Sequence, residues 1–176
     1  NDETNTEQTL QIDYTHPIGE HRIEVGGKVI YRDQKMDYNT LDSISLDYTF
    51  EPEIFNYSQN VNALYLSSKI QLINDFSLLA GLRYENTVIN GDWENNSNEE
   101  FKNSYDNFLP NLTFSKKLST GKSLKISYNN RIGRPSSSYI NTNTNLTDNK
   151  NITIGNPNLT PMLTEQVELG LSLIHI

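Results

Sequence analysis

Phe76-Ser77-Leu78-Leu79-Ala80-Gly81-Leu82-Arg83-Tyr84-Glu85 is the stretch on which the fold turns. Phe76, Leu78, Ala80, Leu82 and Tyr84 fall on one parity, while Ser77, Leu79, Gly81, Arg83 and Glu85 fall on the other. A period of two with one apolar side is the signature of a strand that buries or greases one face. The same alternation recurs outward from it. Leu10, Ile12 and Tyr14 alternate with Gln11, Asp13 and Thr15, and Ile23, Val25, Gly27, Val29 and Tyr31 alternate with Glu24, Gly26, Lys28, Ile30 and Arg32. Further along, Phe108, Pro110, Leu112 and Phe114 share a parity, as do Leu124, Ile126, Tyr128 and Ile132, then Val167, Leu169 and Leu171. From Tyr57 to Leu72 both parities carry apolar residues, Leu64, Leu66 and Ile70 against Val61, Ala63 and Tyr65, so a strand is read there without fixed faces.

Composition agrees with an all-β chain. Of 176 residues only 35% are hydrophobic and 20% charged, the balance going to Asn, Ser and Thr. These compete with the backbone for hydrogen bonds and serve poorly inside helices. The net charge of -8 and a pI near 4.8 argue against nucleic acid, whose phosphates call for clustered Lys and Arg. With no cysteine there are no disulfides and no thiol ligands. No apolar run approaches the ~20 residues of a membrane helix. A mean hydropathy of -0.63 still permits a transmembrane barrel, since only one face of each strand is apolar. The polar start, Asn1 to Gln8, is no signal peptide, so a secreted chain beginning this way is expected to be mature or a piece.

The connections decide between barrel and sandwich. Pro17 to His21, Gln71 to Asp75 and Ser119 to Lys122 read as short, whereas 33–56, 91–104 and 135–161 read as long, so short and long alternate. Ile44, Leu46, Tyr48 and Phe50 alternate inside the first long one and read as a strand extension above the membrane. Long loops gathered at one end, with strands of about 9 to 12 residues, describe an outer-membrane barrel. The expected fold is an antiparallel meander of about seven strands, an open piece of such a barrel. Leu78, Ala80, Leu82, Leu124, Ile126 and Tyr128 are then expected to face lipid. Glu24, Lys28, Arg83, Glu85, Lys125, Arg131 and Glu168 are expected to line the lumen. Tyr14, Tyr31, Phe76, Tyr84 and Phe108 are expected in the aromatic girdles.

Little of the sequence reads as chemistry. His16 and His21 flank a turn without the third ligand that a metal needs, and Gly26-Gly27 sits mid-strand rather than in a phosphate loop. The Asn-x-Ser/Thr triplets at Asn56, Asn95, Asn145, Asn151 and Asn158 follow from an Asn-rich composition. No catalytic residue, metal site or cofactor is expected. The ligand-binding candidates are Asp92, Trp93 and Glu94 in the acidic, aromatic stretch after Gly91, together with Tyr139. Trp93 would stack and the carboxylates would hold a cation, against the plainer reading of a solvated loop with a locally packed Trp.

Four motifs occur in order: Gly81-Leu82-Arg83-Tyr84-Glu85, Phe108-Leu109-Pro110-Asn111-Leu112, Arg131-Ile132-Gly133-Arg134-Pro135, and Gly155-Asn156-Pro157-Asn158-Leu159-Thr160-Pro161 before Glu168-Leu169-Gly170. Together they resemble the barrel part of TonB-dependent receptors, in particular the outer membrane protein β-barrel family. That resemblance implies energy-coupled import of a bulky solute such as a metal chelate, a vitamin or an oligosaccharide through a bacterial outer membrane. It implies outer-membrane lipid, a plug domain and TonB as partners, the last two outside this chain, and it departs from the family pattern at Met162, where an acidic residue is frequent. A soluble or cell-surface β-sandwich that binds carbohydrate or another cell is the alternative. A barrel enzyme would need a nucleophile and base that the sequence does not offer. Residues 1–170 are read as one partial β-barrel domain. Residues 171–176 break the strand's polar parity and match one reading frame of a library-preparation adapter, so they are read as an adapter-derived tail, with further strands expected beyond a false C-terminus.

Overall fold

The computed structural model describes residues 2–39, 52–94, 96–119, 121–142 and 154–173. Seven strands run in chain order: β1 Asp2–Ile18, β2 His21–Asn39, β3 Pro52–Gln71, β4 Phe76–Trp93, β5 Asn96–Ser119, β6 Lys122–Gly133 and β7 Met162–Leu173. One short helix, α1 Ser137–Ile140, lies between β6 and β7. Every strand pairs antiparallel with its sequence neighbour in one sheet, β1 to β7, and the described residues hold no second sheet. The sandwich alternative therefore fails. The meander is open, because β1 pairs only with β2 and β7 only with β6.

Tight reversals sit at one end. Gly19 takes φ +60 as a central residue of a two-residue hairpin, and Asn74 and Asp75 take φ +57 and +60 after β3. Glycine adopts the left-handed region freely, and Asn and Asp tolerate it through local hydrogen bonds.

The strands are longer than the sequence reading expected, and the difference is instructive. The stretch 91–104, expected as a loop, is the end of β4 and the start of β5, joined beyond Trp93 and Asn96 with a register shift between Gly91 and Trp93. Likewise 33–39 and 52–56 belong to β2 and β3. The extension expected at Ile44, Leu46, Tyr48 and Phe50 lies outside the described residues. Polar Asn, Ser and Asp mark these segments as loops only if strands must be apolar on their outer side. In a strand projecting into water they need not be. Trypsin applied to intact cells is therefore expected to leave the Lys102–Asn103 bond whole, because Lys102 is locked in register with Asn90. Cleavage there, read by mass spectrometry, would restore the loop.

Register fixes two faces. The inner face carries the buried residues Phe55, Tyr57, Gln59, Val61 and Ala63 of β3, Glu85, Thr87, Ile89 and Trp93 of β4, and Asn107 and Leu109 of β5. The outer face carries exposed Leu10, Ile12, Val25, Leu64, Leu82, Phe108, Leu112, Ile126 and Leu169. The polarity of the two faces inverts part-way along the strands. Near the tight turns the outer face is apolar. Toward the other end it turns polar, at Asn60 and Asn62, Asn86 and Asn90, Ser104 and Asp106, while the inner face becomes aromatic.

Tyr31, Tyr84, Phe108 and Tyr128 mark the crossover on the outer face. Paired rows place Tyr84 beside Phe108, Tyr31 two rows further from the tight turns, and Tyr128 two rows nearer to them, beside Leu112. A plane cutting tilted strands produces this stagger. Below it the outer apolar band spans about the 9 to 11 residues that a tilted membrane strand uses, as from Leu10 to Ile18 and Phe76 to Tyr84. Phe76 stacks on Phe114 at 5.2 Å, with the Lys116 ammonium 4.5 Å from the Phe76 ring, which gives the lower edge its own aromatic and cationic rim.

Candidate functional site

All seven residues expected to line a lumen share the inner face by register: Glu24, Lys28, Arg83, Glu85, Lys125, Arg131 and Glu168. They do not behave alike. Glu24 accepts from Ser67 Oγ at 3.1 Å and pairs with Arg22 at 2.9 Å. Glu168 accepts from Ser127 Oγ at 3.4 Å and Gln166 Nε2 at 3.1 Å. Lys125 and Arg131 are exposed. Glu85 is buried, and its two carboxylate oxygens are taken by the Arg83 Nε–H and by the Arg134 guanidinium.

Arg134 was not among the expected lumen residues, although it stands in the Arg131–Pro135 motif. The structure joins that motif to Gly81–Glu85 through one carboxylate. The network continues sideways. The Arg83 guanidinium lies 5.3 Å from the centre of the Tyr65 ring, and the Tyr65 hydroxyl donates to Asp13 of β1. A second chain crosses β1 to β3: Arg32 donates to Glu7 at 2.6 Å and to Gln59 at 2.8 Å. Such residues sit far apart in sequence, and only the register of a sheet brings them into one row.

Toward the far end the inner face holds an apolar cluster, Phe55, Tyr57, Ile89, Trp93 and Ile140, with Met36, Phe101 and Tyr105 packed against it. Burial pushes the Tyr57 phenol up to about 12, so it stays neutral across the physiological range. The chain after β6 folds down onto this cluster. Arg134 anchors its start on Glu85, Ile140 of α1 is 1% exposed, and the Trp93 indole N–H donates to Thr142 Oγ1 at 3.1 Å. Gly155 N–H then donates to Asn141 O at 2.9 Å and Asn156 N–H to Tyr139 O at 2.8 Å. The side-chain amide of Asn103 reaches Pro157 O and Leu159 O at 3.4 Å. A Cβ at Gly155 would strike the Asn141 carbonyl, which is why the tight return needs glycine there.

Of the ligand-binding candidates, Trp93 is 7% exposed and packs on Phe55 with ring centres 4.9 Å apart, the locally packed reading rather than an open stacking platform. Asp92 and Glu94 lie on the opposite, outer face. Asn56 Nδ2 donates to both at 3.3 Å, and Lys35 Nζ donates to Glu94 at 3.0 Å. Those two donors hold the Glu94 carboxyl below its ordinary range, Lys35 first. The three do not converge on one ligand. Tyr139 is 68% exposed on α1. His16 stacks on Tyr14, and His21 Nδ1 accepts from the Gln71 N–H. Among the described residues no group of three or more His, Asp or Glu is placed to hold a metal ion.

The model of the outer membrane protein beta-barrel family matches residues 1–174. No curated protein matches. Among solved structures, the ferric yersiniabactin uptake receptor FyuA from Yersinia pestis superposes with a TM-score of 0.67 at 12% identity, over 98% of this chain and 27% of that one. The ferric-catecholate import receptor Fiu from K12 E. coli, in its closed form, gives 0.66 at 15% identity over 97% and 29%. The unliganded ferric citrate transporter FecA gives 0.57 at 19% identity over 74% and 21%. The chain thus spans 21% to 29% of the length of these proteins, and at such identities the likeness is one of fold.

Proposed function

We propose, since the chain belongs to the outer membrane protein beta-barrel family, that it is one sector of a TonB-dependent receptor wall, through which a bulky solute enters from the extracellular side. The chain resides in the bacterial outer membrane. Its outer face meets lipid along the apolar band, its inner face lines the path, and residues 134–142 after β6 pack onto that inner face at the extracellular end.

The observation that carries this reading is the inversion of polarity on both faces at one staggered level. A soluble sheet has no reason to exchange its greasy face half-way along its central strands β3 to β5, whereas a wall crossing from lipid into water does. The free edges of β1 and β7 need pairing by further strands, because lipid leaves backbone N–H and C=O groups unsatisfied. A plug domain and TonB belong to the same reading as partners beyond this chain.

The three receptors named above are described by their ferric chelate, so ferric chelates are the first solutes to test, followed by cobalamin and oligosaccharides. In a strain lacking the gene, uptake of one labelled solute of these classes is expected to fall to background and to return with the intact gene. That uptake is expected to vanish with a protonophore or without TonB. Unchanged uptake of every class in the deletion strain, or uptake that survives the loss of TonB, overturns the proposal.

A further inference from the structure

Two adjacent glycines of β2 are not equivalent. Gly26 is on the inner face, where a Cβ would run into the Tyr65 ring and the Asp13 carboxylate at 2.6 Å, so glycine there admits the ring. Gly27 is on the outer face. A Cβ at Gly27 would meet only Leu64 Cδ2 at 3.4 Å and Ala63 O at 3.7 Å, both ordinary contacts, and its φ is not in the left-handed region. Neither crowding nor backbone conformation asks for glycine at this position.

Over Gly27 lies a groove of about 410 Å³ in the outer wall, bordered by Leu10, Ile12, Val29, Leu64 and Tyr84, with Asn62 at its rim and the inner-face residues Lys28 and Ala63 completing its lining. Its place in the register matters. Gly27 stands in the row Ile12, Gly27, Leu64, Tyr84, Phe108, which is the last apolar row on β3 to β5, while on β1 and β2 the apolar band runs on through Leu10 and Val29. The next row is Leu10, Val29, Asn62, Asn86, Asp106. Asp106 Oδ1 accepts from the Tyr84 hydroxyl at 2.7 Å and from Asn86 Nδ2 at 2.9 Å. An apolar slot on β1 to β3 therefore opens beside a line of amides and one carboxylate that begins at Asn62 and runs across β4 to β5.

We propose that this groove holds one acyl chain of a membrane lipid whose head group is uncharged and carries hydroxyls, with the chain against Gly27 and the hydroxyls on the Asn62, Asn86 and Asp106 row. The inference rests on the lipid-facing reading of the outer face and deepens it. The groove is continuous with the apolar band, so chain methylenes are the apolar matter that reaches it, and leaving it empty forfeits dispersion contacts along its whole lining. The polar row selects the head group. Hydroxyls both donate to a carboxylate and accept from amide N–H groups, whereas a phosphate would face the Asp106 charge with no Lys or Arg in the row to offset it.

The test uses the full gene product in phosphatidylcholine nanodiscs doped with a glucosyl diacylglycerol that carries a diazirine in its acyl chain. After irradiation, adducts mapped by peptide mass spectrometry are expected to concentrate on Leu10, Ile12, Val29 and Leu64, well above Leu112 and Ile126. Gly27→Leu fills the slot and is expected to lower that labelling several-fold, because the chain loses its packing contacts with the groove lining. Gly27→Ala is expected to lower it less, and Ala80→Leu not at all. The same diazirine chain on phosphatidylglycerol is expected to label the groove several-fold more weakly. Even labelling around the band that Gly27→Leu leaves unchanged overturns the groove while sparing the lipid-facing reading. Equal labelling by the two head groups overturns the head-group assignment. Labelling absent from the whole outer face overturns the lipid-facing reading itself.

Discussion

Replacing Glu85 by alanine is expected to cost about 3 kcal/mol of folding stability, the largest loss available from a single polar side chain of this wall. Glu85 is 4% exposed, and its carboxylate accepts from Arg83 on its own strand and from Arg134 beyond β6. Removing it leaves two guanidiniums facing each other with no counter-charge, and unpaired buried charge is the costly case. The figure sits at the low end for a buried pair because the Arg83 and Arg134 side chains keep 28% and 20% of their exposure, so water screens part of the loss. The effect should also be local. With Arg134 released, the start of the segment that carries α1 loses its anchor. Urea titration of the full gene product refolded into vesicles measures the cost, and Glu168→Ala serves as the comparison, since Glu168 keeps only hydrogen bonds to Ser127 and Gln166 and is expected to lose under half a kcal/mol. Glu85→Met with Arg134→Met together should recover part of the loss, as apolar replacement of a buried pair commonly does. Equal losses for Glu85→Ala and Glu168→Ala would remove Glu85 from its central place.

The ambiguity of one strand explains how far sequence could go. From Tyr57 to Leu72 the apolar residues shift parity, Val61 and Ala63 on one, Leu64 and Leu66 on the other. The structure shows both to be right in their own half: Leu64 and Leu66 lie on the outer face in the exposed apolar band, Val61 and Ala63 on the inner face beside the aromatic cluster. The change of phase falls where the outer face turns from apolar to polar, at Asn62 and Asn60. Reading each strand with a single phase hid it and turned Gly91 to Ser104 into a loop. Where one phase holds throughout, as from Phe76 to Glu85 or Lys122 to Gly133, strand and faces were legible at once. The Glu85 to Arg134 contact was not, because periodicity carries neither register nor the path of a connection, and Arg134 stands just beyond β6, where the returning chain rather than the strand ladder brings it to Glu85. Trp93 misled for a related reason. A Trp between two acids looks like a ligand platform, yet alternation sends it to the opposite face from Asp92 and Glu94.

Ile126→Lys tests the faces themselves and carries the other large expected effect. Ile126 stands in the middle of the outer band of β6, paired with Phe114 and Leu169, and is 48% exposed. If that exposure is to lipid, a lysine there is placed near the hydrocarbon midplane at a cost of about 2 to 4 kcal/mol, falling toward zero near the interfaces. The depth dependence separates membrane from water. Lysine at Asn62, past the staggered level, should cost almost nothing, although its outer-face parity is the same. Lysine at Thr113 on the inner face should be tolerated as well, because that side chain stands one strand away from Ser127, whose hydroxyl is bonded to Glu168, and an ammonium there gains a carboxylate neighbour. The three variants, each in the full gene product, are refolded into vesicles and titrated with urea. A penalty at Ile126 alone fits a lipid-facing band bounded by Tyr84, Phe108 and Tyr128. Equal tolerance at Ile126 and Thr113 would mean that the exposed leucines and isoleucines of this sheet are covered by something other than lipid.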